Sequence, residues 1–191
     1  MGGAETKKEI VMNYRIAPVE PSQATGQAKE LLAAVQAKLG LTPNLMKTLA
    51  HSPAALEGYL SLNGALAKGQ LPAKVREQLA LAVAQENGCE YCVSAHTLLG
   101  RNAGLKPEQI IAARKGQSEE AKSSAELELA GQILRSRGNL TDSQLAAARQ
   151  AGVSDGEIAE IVAHVALNVL TNYFNVLART EVDFPPVSLK L

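Results

Sequence analysis

The sequence predicts an all-α fold, and three observations carry that expectation. Apolar residues recur at three- and four-residue spacing along most of the chain. Helix stop and start signals, a Gly followed by a capping residue or a Pro, punctuate those stretches. No segment shows the alternation of a half-buried strand, and with 46% hydrophobic but only 3% aromatic residues and no Trp, the core must be built from Leu, Ala, Val and Ile. Ala and Leu favour helix because they lose little side-chain freedom there. A chain of 191 residues suits one domain. We expect an extended arm over 1–22 and a single helical domain over 23–191.

The arm contains Pro18 and Pro21, which discourage helix. From about Ala24 to Leu39, Leu31, Leu32, Val35 and Leu39 mark a first helix that Gly40 ends. Thr42 as cap and Pro43 at the first position open a short second one, and Ser52–Pro53 repeat that signal for a helix to about Lys68. Pro72 opens a helix over 72–87 with Val75, Leu79 and Val83 on one face, broken by Asn87–Gly88. The next begins near Cys89 and ends before Gly104. "LKPEQIIAARKG" is a short helix, and 119–137 is another, closed by Gly138–Asn139. Thr141 and Gln144 stand at capping-box spacing for the eighth. The last runs from about Asp155 to Arg179, with Ile158, Ile161, Val162, Val165, Val169, Tyr173 and Leu177 as its apolar face, before Pro185–Pro186 forbid more helix. "AGLKPEQI" and "AGVSDGEI" resemble each other; an internal repeat and shared capping chemistry are both open readings.

Net charge is zero, with 19 basic and 19 acidic residues spread evenly, which argues against a nucleic-acid binder. The first 20 residues lack an apolar segment, so no secretory signal is expected. "IVAHVALNVL" is too short to span a bilayer, so no membrane partner is expected either. Gly2 and Thr6 match a loose myristoylation pattern that we set aside for an unstructured start. A cytoplasmic setting is expected.

Both cysteines of the chain and one of its three histidines fall within "ENGCEYCVSAH". On a helix, Cys89, Cys92 and His96 share one stripe, near enough for a disulfide or a common metal. Gly88 places Cys89 at a helix N-terminus, where the helix dipole favours a thiolate. A thiolate attacks a peroxide and becomes a sulfenic acid, which a second thiol resolves to a disulfide. Three other readings compete. Two cysteines can simply pack. Zinc normally takes four ligands, and no second Cys-x-x-Cys is present, so no metal is expected. A thioredoxin-like motif needs strands, which this sequence does not offer.

The stretch Glu77 to Gly104, "EQLALAVAQENGCEYCVSAHTLLGRNAG", resembles the core motif of the alkylhydroperoxidase D-like family within the carboxymuconolactone decarboxylase superfamily: a Glu, eleven residues, then Cys-x-x-Cys-x-x-x-His. "RIAPVEPSQATGQAKELL", "TPNLMKTLAHSP" and "NVLTNYFNVLARTEVDFP" look like its peroxidase-related branch, so the resemblance covers roughly residues 15 to 186. It implies an all-α fold, homo-oligomers (hexamer or trimer, with dimer possible), and thiol-dependent reduction of hydroperoxides without flavin, haem or other cofactor. Cys92 would be the peroxidatic thiol, Cys89 the resolving one, and His96 with Glu77 the proton relay. An external thiol, or a lipoyl or thioredoxin-like donor protein, would restore the dithiol. The family's second histidine is replaced here by Tyr91, whose phenol titrates too high to act as a near-neutral base but can hydrogen-bond.

Glu86, three residues before Cys89, is a second candidate carboxylate, ranked below Glu77. His51 and His164 read as structural histidines. Asn168, Asn172 and Asn175 with Tyr173 read as polar contacts of the last helix, at a subunit interface or between helices. Two other functions are weighed against the peroxidase: a lactone-decarboxylating lyase, which has no need of a redox pair, and a non-catalytic redox-sensing oligomer. Apolar residues on more than one face of the last helix favour an oligomer in each case.

Overall fold

The computed structural model describes residues 14–191. The myristoylation pattern and the first part of the arm lie outside them. Among the described residues the chain forms nine helices and no strand: α1 Gly26–Leu39, α2 Asn44–Leu49, α3 Pro53–Leu66, α4 Ala73–Glu86, α5 Glu90–Asn102, α6 Pro107–Arg114, α7 Ala121–Ser136, α8 Asp142–Gln150 and α9 Asp155–Ala178. Each expected helix is present. The starts of α2 and α4 differ by one residue: Pro43 and Pro72 are extended residues at the cap position and not the first helical ones. Thr42, expected to cap α2, instead donates its hydroxyl to Gln36 Oε1 at 2.9 Å. Pro53 and Pro107 do occupy first positions, and Ser52 caps α3. Thr141 and Ser154 each close a capping box, with Gln144 and Glu157. The two similar stretches form similar joints: Gly104 (φ 88°) and Gly152 (φ 91°) end a helix, and the next residue, Leu105 or Val153, is buried. A helix end of this type accounts for the likeness.

α4 is the central element, packed by α5, α6, α7 and α9. One cluster joins α1, α2, α3 and the start of α5, through Leu32, Val35, Leu45, Leu49, Leu56 and Val93. A second joins α4, α7, α8 and α9, through Leu71, Leu79, Leu127, Ile133, Val153 and Ile161. The arm is tied to the end of α9: Arg15 N–H donates to Ala178 O at 2.9 Å, and Tyr14 donates its hydroxyl to Glu181 at 2.6 Å.

α9 departs most from expectation. Val162, Tyr173 and Leu177, assigned to its apolar face with Ile161 and Val165, are exposed, and with Leu170 and Val176 they form one outer stripe. The buried side instead carries His164, Asn168, Thr171, Asn172 and Asn175 beside Ile161 and Val165. Its 24 residues are long and apolar enough to cross a membrane by length and composition, yet half of that stretch is buried inside the protein, as in a core helix.

Glu126 on α7 is 2% exposed, and its Oε2 has no hydrogen-bond partner. Burial, and then the Glu157 carboxylate of α9, push its carboxyl above the usual range. The folded chain therefore holds this proton more tightly than the unfolded chain does. The cost of ionising it is absent below the ordinary carboxylate range and complete once pH has passed the raised value. Glu126→Gln should melt above the parent at pH 7 by roughly 2–4 °C, the effect of about 1 kcal/mol in a chain this size. The gain should vanish as pH falls to about 4, near the ordinary carboxyl pKa; thermal melts across that range check it.

Candidate active site

The site begins with a chain reversal. α4 ends at Glu86, and Gly88 takes a left-handed conformation (φ 65°) that lets α5 fold back along α4. Cys89 follows as the extended N-cap residue of α5. Its Sγ accepts a hydrogen bond from Cys92 N–H at 3.2 Å, the bond a Ser or Asp usually supplies at this position. The two cysteines are joined as a disulfide across one helical turn, with Cα atoms 5.3 Å apart. The pair is enclosed: Cys89 is 1% and Cys92 3% exposed.

The cover comes from α2 and from the tail after α9. Leu45, Met46 and Leu49 belong to the same cluster as the cysteines, and Val182, Phe184, Val187 and Leu189 pack against it. Three hydrogen bonds fasten the end of the tail: Val187 N–H to Ser94 Oγ (2.9 Å), Gln85 Nε2 to Leu189 O (2.9 Å) and Arg114 Nη2 to Ser188 O (2.7 Å). Tyr91 is part of this cover. Its ring meets Phe184 edge-on at 5.5 Å, and its hydroxyl accepts from Leu45 N–H at 3.2 Å, satisfying a free donor at the start of α2. Burial, above all, raises its phenol still further from neutrality.

One turn beyond Cys92, His96 Nδ1 lies 2.8 Å from Glu77 Oε2. Both side chains are about one-fifth exposed, at 23% and 21%. Gly100, one turn on, makes room for Leu105: a Cβ there would press on the Leu105 side chain at 3.1 Å, and would meet Glu77 Cβ at an ordinary contact distance of 3.8 Å. A carboxylate at Nδ1 fixes the imidazole's orientation and leaves Nε2 as the ring nitrogen that can exchange a proton.

His96 and Glu77 open onto a cavity of about 230 Å³ between α3, α4, α5 and α9, whose wall also includes Tyr59, Asn63, Arg76 and His164. The cysteines do not line it. His164, expected to be a satisfied structural residue, is buried with no partner for its Nε2. Burial, then the nearby Arg76 guanidinium, lower its pKa and keep it neutral. Burial and the Glu77 carboxylate push the Tyr59 phenol up to about 12. His51 is satisfied, 2.8 Å from Ala17 O. Glu86 stands apart: it pairs with Arg135 at 3.0 Å in a separate cleft between α4, α6 and α7. Among the described residues no cluster of three His, Cys, Asp or Glu is arranged to hold a metal.

The asparagines of α9 face inward. Asn168 Nδ2 donates to His164 O at 2.8 Å, Asn172 Oδ1 accepts from Asn87 at 2.9 Å, and Asn175 Nδ2 donates to Cys92 Sγ at 3.3 Å. Their spacing put them on one side of the helix, but nothing in the sequence said that this side meets α5.

Residues 53–134, which contain Glu77, both cysteines and His96, match the carboxymuconolactone decarboxylase family model. Over this segment the chain is similar to that family. An alkyl hydroperoxide reductase of Mycobacterium tuberculosis is 34% identical over 90 residues, which is 47% of this chain and 26% of that protein. The match thus spans about a quarter of that relative's length. A solved peroxidase-related protein of Ralstonia eutropha, described as an alkylhydroperoxidase core, superposes with a TM-score of 0.80 at 24% identity, covering 89% of this chain and 92% of that one. A peroxidase-related protein of Silicibacter gives 0.73 at 20% identity over 97% and 96%. These likenesses establish the alkylhydroperoxidase D-like fold.

The tail over the cysteine cluster gives a direct test. Deleting residues 186–191 removes Val187, Leu189 and all three fastenings. The reduced thiols of the truncated chain should react with iodoacetamide at least about tenfold faster at fixed pH. That factor corresponds to an exposure cheaper by about 1.4 kcal/mol; alkylation followed by mass measurement reads it.

Proposed function

We propose that this chain is a thiol peroxidase that reduces hydroperoxides with the Cys89–Cys92 pair, and that Glu77 and His96 handle its protons. The observation that carries the reading is the joining of two features on one helix. A disulfide lies in the first turn of α5, and an imidazole held by a carboxylate at 2.8 Å lies one turn further. The match to an alkyl hydroperoxide reductase supports it.

In the reduced protein, Cys92 as thiolate attacks the distal oxygen of ROOH. The S–O bond forms, the O–O bond breaks, and the departing RO⁻ takes a proton from His96 to leave as ROH. Cys89 then attacks the sulfenic sulfur; the S–S bond forms, and hydroxide leaves as water with the proton that Cys89 gives up through the relay. An external dithiol returns two electrons and two protons by exchange through a mixed disulfide. The sum is ROOH plus two electrons and two protons giving ROH and water. Because the pair is buried, attack requires the cover over α5 to yield or the substrate to be small. Lactone decarboxylation exchanges no electrons and gives a disulfide of this kind no part.

The outer stripe of α9 supports self-association, as the family resemblance implies. Val162, Leu170, Tyr173, Val176 and Leu177 are 46–59% exposed on one side of the helix, and a second copy seated there would cover them. The double variant Tyr173→Glu, Leu177→Glu should elute as a smaller species by light scattering than the parent.

With dihydrolipoamide as reductant, the parent should consume an organic hydroperoxide and Cys92→Ser should not. His96→Asn should lower kcat/KM by about 10²-fold or more, the usual worth of a positioned acid–base group, and Glu77→Gln should lower it less. Full activity in Cys92→Ser would remove the mechanism.

A further inference from the structure

The two sulfurs compete for one negative charge once the disulfide is reduced. Cys89 has the helix N-terminus and one backbone N–H in its favour. Cys92 lies within the first turn, and its own N–H points to its neighbour. By helix position alone, Cys89 would ionise first. The other side of the pair reverses the comparison. Asn175 reaches from α9 and donates its amide N–H to Cys92 Sγ at 3.3 Å. This is the one side-chain hydrogen bond received by that sulfur among the described residues.

The setting makes the contact consequential. Asn175 is 3% exposed and its Oδ1 has no partner, so its amide is held in the core with its other end unsatisfied. Core positions rarely keep such a group, because an unpaired buried acceptor costs free energy that an apolar residue would not. Several large apolar residues of α9 are on its outside, while its inner side keeps polar side chains beside Ile161 and Val165, among them His164, Asn168, Thr171 and Asn175 at three- and four-residue spacing. A donor to a thiolate, in surroundings from which water is excluded, is stronger than the same donor to a neutral thiol.

We propose that Asn175 is a further catalytic residue, the group that selects Cys92 over Cys89 as the thiolate. It rests on the peroxidase reading only for the use made of that thiolate; the selection is a property of the resting dithiol. Other titratable groups around the pair are His96 and Tyr91 on α5, Glu77 from α4 and Asp183 in the tail. Glu77 and His96 pair with each other, and the Tyr91 phenol stays protonated. None of them donates a hydrogen bond to Cys92 Sγ.

The test uses the full chain with Cys89→Ser, so that Cys92 titrates alone. The midpoint for appearance of its thiolate is followed by ultraviolet absorbance and by the pH dependence of iodoacetamide alkylation. Adding Asn175→Leu, similar in size but without a donor, should raise the midpoint by about one to two pH units, the worth of a hydrogen bond to a charged group. Asn175→Asp, which sets an acceptor where the donor stood, should raise it further. Asn172→Leu, on the same side of α9 but bonded to Asn87, should leave it in place. If Asn175→Leu does not fold, Asn175→Asp and the side-chain amide resonances of ¹⁵N-asparagine in the Cys89→Ser chain decide. The Asn175 resonances should shift with the Cys92 midpoint. An unchanged midpoint in both Asn175 variants, or amide resonances that do not follow the titration, overturns the proposal. Peroxide turnover is not read in any arm, so loss of the peroxidase reading would be seen separately.

Discussion

The reversal at Asn87–Gly88–Cys89 is the constraint on which the site depends. Gly88 ends α4 in a conformation that side-chain-bearing residues avoid, and Cys89 caps α5 with its own sulfur. Three consequences come from that one joint. The second sulfur is brought one turn away, the partial positive end of α5 is directed at the pair, and α5 is laid back along α4. Because α5 runs back along α4, His96 and Glu77, nineteen residues apart in sequence, come within hydrogen-bond reach.

Around this joint the protein buries polar groups without pairing all of them. α9 keeps a buried polar side with unpaired atoms on His164, Asn172 and Asn175, and an exposed apolar one. Its inner side also carries the apolar Ile161 and Val165, so polar and apolar groups share the buried side. The arrangement is consistent with two demands on one element: polar groups toward the cavity and the sulfur, and an apolar surface free for a second copy. The tail adds an apolar cover, with Val182, Phe184, Val187 and Leu189 packed against the cluster that holds the pair.

Much of this was legible in the sequence, for identifiable reasons. Helix ends are written in local chemistry: Ser52, Thr141 and Ser154 cap as their types require, and Gly40, Gly88, Gly104 and Gly152 stop or turn the chain where they stand. The closeness of Cys89, Cys92 and His96 followed from helical spacing alone. The choice between Glu77 and Glu86 could have been sharpened the same way: nine residues on a helix is a rotation of about 180° from one another, so the two cannot serve one site. Which side of α9 faces inward was not legible, because both sides are rich enough in apolar residues to be buried and the polar stripe gives no sign of its partner. The contribution of Asn175, the cover by the tail and the exposure of His164 to the cavity all depend on long-range packing that no local pattern encodes.

The most direct measurement is the mass of the peptide carrying both cysteines, before and after one equivalent of hydroperoxide is added to the reduced chain. The account predicts a loss of two hydrogens confined to that peptide, with one alcohol released per chain and the full mass restored by dithiol. A peptide of unchanged mass while the hydroperoxide persists, or hydroperoxide consumed with both thiols still free, would contradict it.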